Sequence, residues 1–229
     1  MAPSDNSETR MNASDRLPSD LTDRLKRQIE FILEVDRLKE VYRQSYVLPA
    51  DRRENSAEHS WHLAITALLL PEHANHPIDT SHVIRMALVH DLVEIDAGDT
   101  FIYDPVGNLE KAAKEEKAAD RIFGLLPPDQ RDEWRALWQE FERRETAEAK
   151  FANALDRLLP VLHNYFTNGR SWKEHGITRE QALMKNAVIG EGSETIWYLV
   201  ETLIRDALGT PTTPTTPTTP GTPTTEVKR

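Results

Sequence analysis

Residues 86–100 read Met-Ala-Leu-Val-His-Asp-Leu-Val-Glu-Ile-Asp-Ala-Gly-Asp-Thr, and this stretch decides how the chain is interpreted. It places His90 and Asp91 side by side within a largely apolar run. Burying an imidazole and a carboxylate costs free energy unless the lost hydration is compensated. A divalent metal compensates directly, because it binds neutral imidazole nitrogen and ionised carboxylate oxygen together. The pair therefore indicates a metal site on a buried helix.

The sequence around this stretch has the periodicity of α-helices, with apolar residues recurring every three to four positions. Such segments are predicted at residues 21–38, 56–70, 81–95, 108–126, 129–144, 146–168, 179–189 and 193–208. Strand-type alternation is absent. We therefore expect an all-α fold, a single-domain bundle of roughly eight helices that spans residues 19–208.

The two ends of the sequence differ from this helical region. Residues 1–18 are polar and are expected to form a flexible segment. Residues 209–229 repeat Thr-Pro-Thr-Thr-Pro, which cannot bury apolar surface, and are expected to form a disordered tail. The start of the chain lacks the basic and apolar pattern of a secretory signal, and no apolar run is long enough to cross a bilayer. These features predict a cytoplasmic protein.

Composition excludes several classes of function. The 229 residues contain no cysteine, which excludes disulfides, thiolate zinc sites and thiol nucleophiles. The formal net charge is −10, which argues against nucleic acid as a partner because phosphate backbones require a basic face. A small phosphorylated ligand remains compatible with an acidic chain if a metal and a few arginines supply local positive charge.

Two further residues complete a candidate ligand set with His90 and Asp91. His59 lies at the start of one predicted helix, and Asp156 lies midway along another. A helical bundle can bring such residues together in its core. Two imidazoles and two carboxylates leave open positions on a six-coordinate ion. This mixed set suits Mn²⁺, Co²⁺, Fe²⁺, Zn²⁺ or Ni²⁺ better than Ca²⁺, and Mg²⁺ is a further possibility.

Other histidines are assigned lesser roles. His62 lies one turn from His59 and is expected to support the ligands or to pack in the core. His163 lies two turns after Asp156, where a structural role is favoured over one in the site. No histidine occurs between Asp91 and Asp156.

Taken together, these motifs resemble the HD-domain metal-dependent phosphohydrolases, and within them the bacterial 5′-deoxynucleotidase branch. Binuclear members of the same superfamily place additional histidine ligands between the positions of Asp91 and Asp156, so the resemblance implies a single catalytic metal in this chain. The matching segments are residues 52–62, 89–99 and 154–157. The resemblance implies an α-helical fold that commonly forms a homodimer. It implies that the metal ligands are His59, His90, Asp91 and Asp156. It also implies removal of the 5′-phosphate from deoxynucleoside monophosphates, supported by Co²⁺ or Mn²⁺.

Catalytic and substrate-binding roles follow from the same segments. Glu94 lies three residues after Asp91, so both carboxylates are expected on one helical face. Beside a metal, Glu94 could position or deprotonate the attacking water. The resemblance implies that Asp99 contacts the sugar hydroxyl or the water network, and the neighbouring Thr100 could add a hydrogen bond. The resemblance also implies that Arg43 holds the phosphate.

Several assignments have alternatives. Where the family branch has a tryptophan beside the substrate arginine, this chain has Gln44, which leaves the choice between deoxyribose and ribose open. Arg52 and Arg53 are either further phosphate ligands or ion-pair partners of neighbouring glutamates. The charged run 111–117 is either a solvated helix face or a lid. A helix carrying Trp134, Trp138 and Phe141 is expected to supply core or a dimer surface.

The expected activity is hydrolysis of (deoxy)nucleoside monophosphates through attack of a metal-activated water on the 5′-phosphorus. One alternative is hydrolysis of (deoxy)nucleoside triphosphates. A second is a non-catalytic nucleotide-binding regulatory protein in which the metal is structural. A third is a phosphohydrolase for another phosphorylated metabolite.

Overall fold

A computed structural model describes residues 17–48, 51–104 and 107–209. Residues 1–16 and 210–229 lie outside the described part, so the predicted flexible N-terminal segment and Thr/Pro tail stay predictions. The elements are α1 (Asp23–Val35), β1 (Tyr42–Tyr46), β2 (Arg53–Asn55), α2 (Ser56–Leu69), α3 (Thr80–Val89), α4 (Glu94–Ala97), α5 (Gly107–Phe123), α6 (Pro128–Arg143), α7 (Ala147–Phe166), α8 (Arg170–Glu174), α9 (Arg179–Asn186), α10 (Ile189–Gly192) and α11 (Glu194–Ala207).

The predicted helical bundle is confirmed. Eight of the helices within the described ranges contain at least eight residues, and each overlaps one of the segments predicted from periodicity. Helix α7 lies at the centre, where it packs against α2, α3, α6, α10 and α11. Gly192 allows α10 to approach α7 closely, because a Cβ at this position would lie 2.3 Å from the carbonyl oxygen of Lys150. In the described part of the chain, the helices are all too short or too polar to cross a bilayer.

The expectation that strands are absent was wrong at one place. Strands β1 and β2 form a small antiparallel sheet in which Tyr42 pairs with Asn55 and Tyr46 pairs with Arg53. The register is irregular between the two pairs. The strands are short and polar because their side chains supply charged groups to the interior, so the usual apolar alternation does not appear in the sequence.

Helix α2 begins at a capping box directly after β2. The Asn55 side chain accepts a hydrogen bond from the backbone N–H of Glu58 at 2.9 Å, and the Glu58 carboxylate accepts one from the N–H of Asn55 at 3.3 Å. Two otherwise unsatisfied amides of the first turn are thereby paired. The capping box fixes the start of α2 and hence the position of His59, which lies in its first turn.

Candidate metal centre and adjoining pocket

The four predicted metal ligands come from three elements that meet in the interior. His59 is on α2, Asp156 is on α7, and His90 and Asp91 lie in a single 3₁₀ turn (His90–Val93) that follows α3. His59, His90 and Asp91 are buried, with exposed fractions of 0%, 5% and 6%. The tighter turn after α3 directs both members of the His90–Asp91 pair toward α7.

The donor atoms of these residues lie close together. His59 Nε2 is 2.8 Å from Asp156 Oδ1, and His90 Nε2 is 2.9 Å from Asp91 Oδ1. His90 Nε2 also lies 3.8 Å from Asp156 Oδ1. One donor atom from each of His59, His90 and Asp91 falls within 4.8 Å of the other two. The structure therefore brings the four side chains together, as the sequence predicts.

The orientation of His90 suits metal binding. Its Nδ1 lies 2.8 Å from the carbonyl oxygen of Ala87, which can only accept a hydrogen bond, so Nδ1 carries the proton. When the ring is neutral, Nε2 presents its lone pair to the cluster, and this buried atom makes no hydrogen bond of acceptable geometry. A backbone carbonyl that fixes the tautomer in this way is common for metal-binding histidines.

Electrostatic coupling within the cluster is strong. Burial alone would raise the pKa of Asp156, but the hydrogen bond with His59 and the charges of His59 and His90 hold it well below its usual range. Burial would likewise raise the pKa of Asp91, but the charges of His90 and Arg43 lower it. Both carboxylates are therefore ionised and able to bind a cation.

Arg43, on β1, is the cation that the chain itself supplies to this cluster. Its Nη1 donates to Asp91 Oδ2 at 2.9 Å. The guanidinium also lies within 4.0 Å of three further carboxylates, those of Glu54, Asp99 and Asp156. Burial opposes its charge, but these carboxylates raise the pKa of Arg43, so it stays protonated. One guanidinium cannot balance four carboxylates, and negative charge remains in the cluster.

Glu94 lies at the start of α4, next to the cluster. Its exposed fraction is 6%, and Ser56 donates a hydrogen bond to its Oε2 at 2.6 Å. Burial and the nearby charge of Asp91 raise the pKa of Glu94 well above its usual range. The environment of Glu94 therefore favours the protonated carboxyl group, whereas the environment of Asp91 favours the ionised carboxylate.

A pocket opens from the cluster toward α5 and α8. Its walls include the predicted substrate residues Arg43, Asp99 and Thr100, together with Gln44. Lys111 and Glu115 of α5 also line it, so part of the charged run 111–117 faces the pocket, while Lys114 and Lys117 are exposed. Sequence reasoning missed the aromatic side chains on the opposite wall, which are Phe101, Tyr103 and Trp172.

The contacts of two arginines and of the aromatic residues of α6 bear on the alternative roles that the sequence left open for them. Arg52 forms a two-pronged ion pair with Glu58, with both N–O distances 2.8 Å, and Arg53 bonds to Gln44. Neither arginine lines the pocket. Of the aromatic residues of α6, Trp138 and Phe141 are buried in the core, and the ring of Phe141 lies 4.6 Å from that of His90. Trp134 packs edge-on against Phe31.

A second group of potential ligands, which the sequence did not reveal, lies behind the first. Glu54, His62 and His163 each place one donor atom within 4.8 Å of the other two. Glu54 is 2% exposed and His163 is 5% exposed. Glu54 has polar neighbours in sequence, so no local pattern marked it as buried. The sequence predicts a supporting or packing role for His62 and a structural role for His163, and it does not predict that the two lie together.

Comparison with known proteins places this geometry in a family. Residues 35–197 match the HD domain family over most of the chain. The chain belongs to the HD domain family.

Individual members of the HD domain family show the extent of the likeness. The 5′-deoxynucleotidase HDDC2 of Homo sapiens is 34% identical over 135 residues, which cover 58% of this chain and 65% of that protein. The protein of the same name from Bos taurus is 35% identical over 136 residues, covering 58% and 64%. These matches span slightly less than two thirds of the relatives.

A solved HD domain structure is more similar. The crystal structure of a predicted metal-dependent phosphohydrolase from Magnetospirillum magnetotacticum MS-1 superposes with a TM-score of 0.77 at 50% sequence identity. The superposition covers 81% of this chain and 93% of that protein.

Proposed function

We propose that this HD-domain protein removes the 5′-phosphate from deoxynucleoside monophosphates in a metal-dependent hydrolysis. The observation that carries the proposal is the convergence of His59, His90, Asp91 and Asp156 beside Glu94, at a pocket that also contains Arg43. The names of the HDDC2 relatives and of the Magnetospirillum protein support it.

The donor set fits one divalent ion at the cluster. Two imidazole nitrogens and two ionised carboxylates match the preferences of Co²⁺ and Mn²⁺, and the unpartnered Nε2 of His90 gives a lone pair to the ion. Such an ion would polarise a phosphoryl oxygen and lower the pKa of water. Proton transfer and substrate binding are assigned to side chains of this protein.

Glu94 serves as the proton-transfer group. It lies beside the ligands without being one of them, and Ser56 holds its Oε2 in a fixed position. In its ionised form, a carboxyl group whose pKa is raised is a stronger base than an ordinary glutamate, so it can accept a proton from the attacking water and return it to the leaving 5′-oxygen. Asp91 contributes to catalysis by holding the ion that orients the phosphate.

Arg43 holds the phosphate. Its Nη1 donates to Asp91 Oδ2 at 2.9 Å. Once Asp91 is a metal ligand, the guanidinium would be able to bind a phosphate with its two parallel N–H groups. Asp99 and Thr100 lie in the loop after α4, on the wall of the same pocket, where they can contact the sugar hydroxyls.

The aromatic wall provides a place for the base. Phe101 and Tyr103 lie with ring centroids 5.1 Å apart, and Trp172 lines the pocket nearby. Flat apolar rings suit stacking against any nucleobase. The pocket thus has the Arg43 guanidinium beside the predicted metal ligands for the phosphate, and aromatic side chains for the base.

The test is a substrate panel on the metal-stripped protein reloaded with Co²⁺ or Mn²⁺. Released phosphate, pyrophosphate and triphosphate are each measured for ribo- and deoxynucleoside mono-, di- and triphosphates. We expect release from deoxynucleoside monophosphates and its loss in Asp91→Asn. The control Asp132→Asn removes an exposed carboxylate on α6 and should retain activity. Release of triphosphate from nucleoside triphosphates would instead favour the triphosphohydrolase activity, and no release from any nucleotide would contradict the proposal.

The proposal extends to assembly and location. A homodimer is expected from the resemblance, and light scattering at several concentrations measures it. A stripe of exposed apolar side chains along α2, formed by Trp61, Ile65, Leu68 and Leu69, offers one surface for such an interface. The cytoplasmic location remains a prediction.

A further inference from the structure

Glu54 lies at the centre of a group of buried polar atoms that lack hydrogen-bond partners. These atoms are Glu54 Oε2, His59 Nδ1 and His163 Nδ1, together with Arg43 Nε. The distances from Glu54 Oε2 are 3.6 Å to His59 Nδ1, 3.7 Å to His163 Nδ1 and 3.8 Å to Arg43 Nε. Unpartnered buried polar atoms are rare in folded proteins, and a cluster of them around one oxygen calls for a ligand.

The architecture brings these residues together one layer behind the first cluster. His62 follows His59 by three residues on α2, and His163 follows Asp156 by seven residues on α7. Both spacings keep the second residue on the same face of its helix. The rings of His62 and His163 have centroids 5.9 Å apart. Glu54, on β2, lies between the two layers.

Direct hydrogen bonds do not account for the arrangement. The separations of 3.6 and 3.7 Å exceed those of N–H···O hydrogen bonds. The 3.7 Å between Glu54 Oε2 and His163 Nδ1 is close to the spacing of ligands around a metal, since bonds of about 2.0–2.1 Å in a tetrahedron put neighbouring ligand atoms about 3.3 Å apart. Small side-chain movements would bring the three donors of Glu54, His62 and His163 to that spacing.

We propose that Glu54, His62 and His163 form a second divalent-metal site, distinct from the catalytic site of His59, His90, Asp91 and Asp156. Two histidines and one glutamate form a ligand set typical of zinc with an open fourth position. Glu54 binds the second ion and lies against the imidazole of His59, so it connects the two sites. His62 is partly exposed and gives the ion a route from solvent.

The charge balance around Arg43 permits two ions. Arg43 faces four carboxylates within 4.0 Å, those of Glu54, Asp91, Asp99 and Asp156. The guanidinium balances one of these charges, and a divalent ion at the first site balances two more. Glu54 then still carries one uncompensated negative charge, which would offset half of the charge of a second divalent ion beside it.

The test is the metal content of the full-length chain. Metal-stripped protein is dialysed against Zn²⁺, and bound zinc per chain is measured by elemental analysis. The wild type should hold two ions. His62→Gln and His163→Asn should each hold one, and Asp156→Asn should also hold one because it retains the second site. The control His73→Gln removes a partly exposed histidine that belongs to neither cluster and should still hold two.

One ion in the wild type would overturn the proposal, as would two ions in both His62→Gln and His163→Asn. Far-ultraviolet circular dichroism checks that each variant is folded. If His163→Asn fails to fold, the zinc content of His62→Gln decides, because His62 is partly exposed and its replacement disturbs the core less. Because zinc content is measured without a nucleotide, this test can fail while the nucleotidase proposal holds, and the reverse is equally distinguishable.

Discussion

Glu94 and Asp91 show how two neighbouring carboxyl groups acquire different chemistry. Cationic partners hold Asp91 ionised, whereas burial raises the pKa of Glu94. We predict that Glu94→Gln lowers kcat for nucleotide hydrolysis by about 10²- to 10⁴-fold, because the amide cannot transfer a proton. Metal content should stay unchanged. Steady-state kinetics and elemental analysis measure the two effects.

A matched control tests whether loss of charge alone explains that result. Glu142→Gln removes a carboxylate from the same pocket but not from beside the ligands. Its kcat should fall far less than that of Glu94→Gln. Equal kcat values for the wild type and Glu94→Gln would exclude Glu94 as the proton-transfer group.

At the scale of single residues, a functional role can be predicted where a residue differs in polarity from its neighbours in the sequence. It cannot be predicted where only the packing of the folded chain buries the residue or directs it into the site. His90 and Asp91 were recognisable because two polar groups interrupt an apolar run. Glu54 was not, since it follows Arg53 in a polar stretch and is buried only when β2 pairs with β1 and α2 closes over it. Phe101 and Tyr103 had no sequence signal for the same reason: only the folded loop directs them into the pocket.

At the level of elements, the cap of α2 connects fold to site. We predict that Asn55→Ala destabilises the protein by about 1 kcal/mol, because a first-turn amide loses its acceptor. It should also weaken metal binding, since His59 lies in that turn. Denaturant unfolding and metal titration measure these effects.

The control is the corresponding cap of α1, which is remote from the ligands. Thr22 accepts a hydrogen bond from the N–H of Leu25 at 3.3 Å. Thr22→Ala should cost a similar free energy of unfolding and leave metal affinity unchanged. If Asn55→Ala and Thr22→Ala lower the metal affinity equally, the cap of α2 does not position His59 for metal binding.

Helix α5 carries a pH-dependent contribution to stability. Burial and the charge of Glu142 raise the pKa of Glu115 to about 7, against the opposing effect of Lys111, whose Nζ is 3.4 Å away. A raised folded-state pKa means that stability is greatest below the ordinary range of a glutamate and is lost as the pH rises through about 7.

Glu115→Gln should therefore change stability in a direction that depends on pH. Above pH 7 the variant should be more stable than the wild type by about 1–3 kcal/mol, and near pH 4.5 the two should converge. Thermal unfolding across this range checks the prediction. A constant difference between the two proteins at all pH values would contradict it.

Elements with strong periodicity were predictable, and those shaped by the site were not. The eight long helices follow their apolar stripes, because burial of one face decides helix formation. The β1–β2 sheet carries Arg43 and Glu54 inward, so its inner face is charged and does not alternate as a strand usually does. The 3₁₀ turn at His90 likewise interrupts a segment that periodicity predicts as one continuous helix.

For the molecule as a whole, metal binding and folding are coupled. The ligand cluster concentrates charge in the interior of a chain whose formal net charge is −10. Without metal, burial would lower the pKa of His59 and His90, but Asp156 and, for His90, Asp91 raise it, so protons occupy the lone pairs that a metal needs. A metal must displace these protons, and its affinity therefore rises with pH.

Removal of metal should consequently lower the melting temperature, and by more at pH 8 than at pH 6. In the metal-free protein, a raised histidine pKa stabilises the fold at low pH, and this contribution is lost as the pH rises through the folded-state value. Metal binding is strongest where that contribution has been lost. At a free metal concentration 100 times Kd, the gain is about 2.7 kcal/mol. Thermal unfolding of stripped and Mn²⁺-loaded protein measures it, with Asp91→Asn as the variant that should lose most of the gain; an equal or smaller gain at pH 8 would show that protons and metal do not compete for His59 and His90.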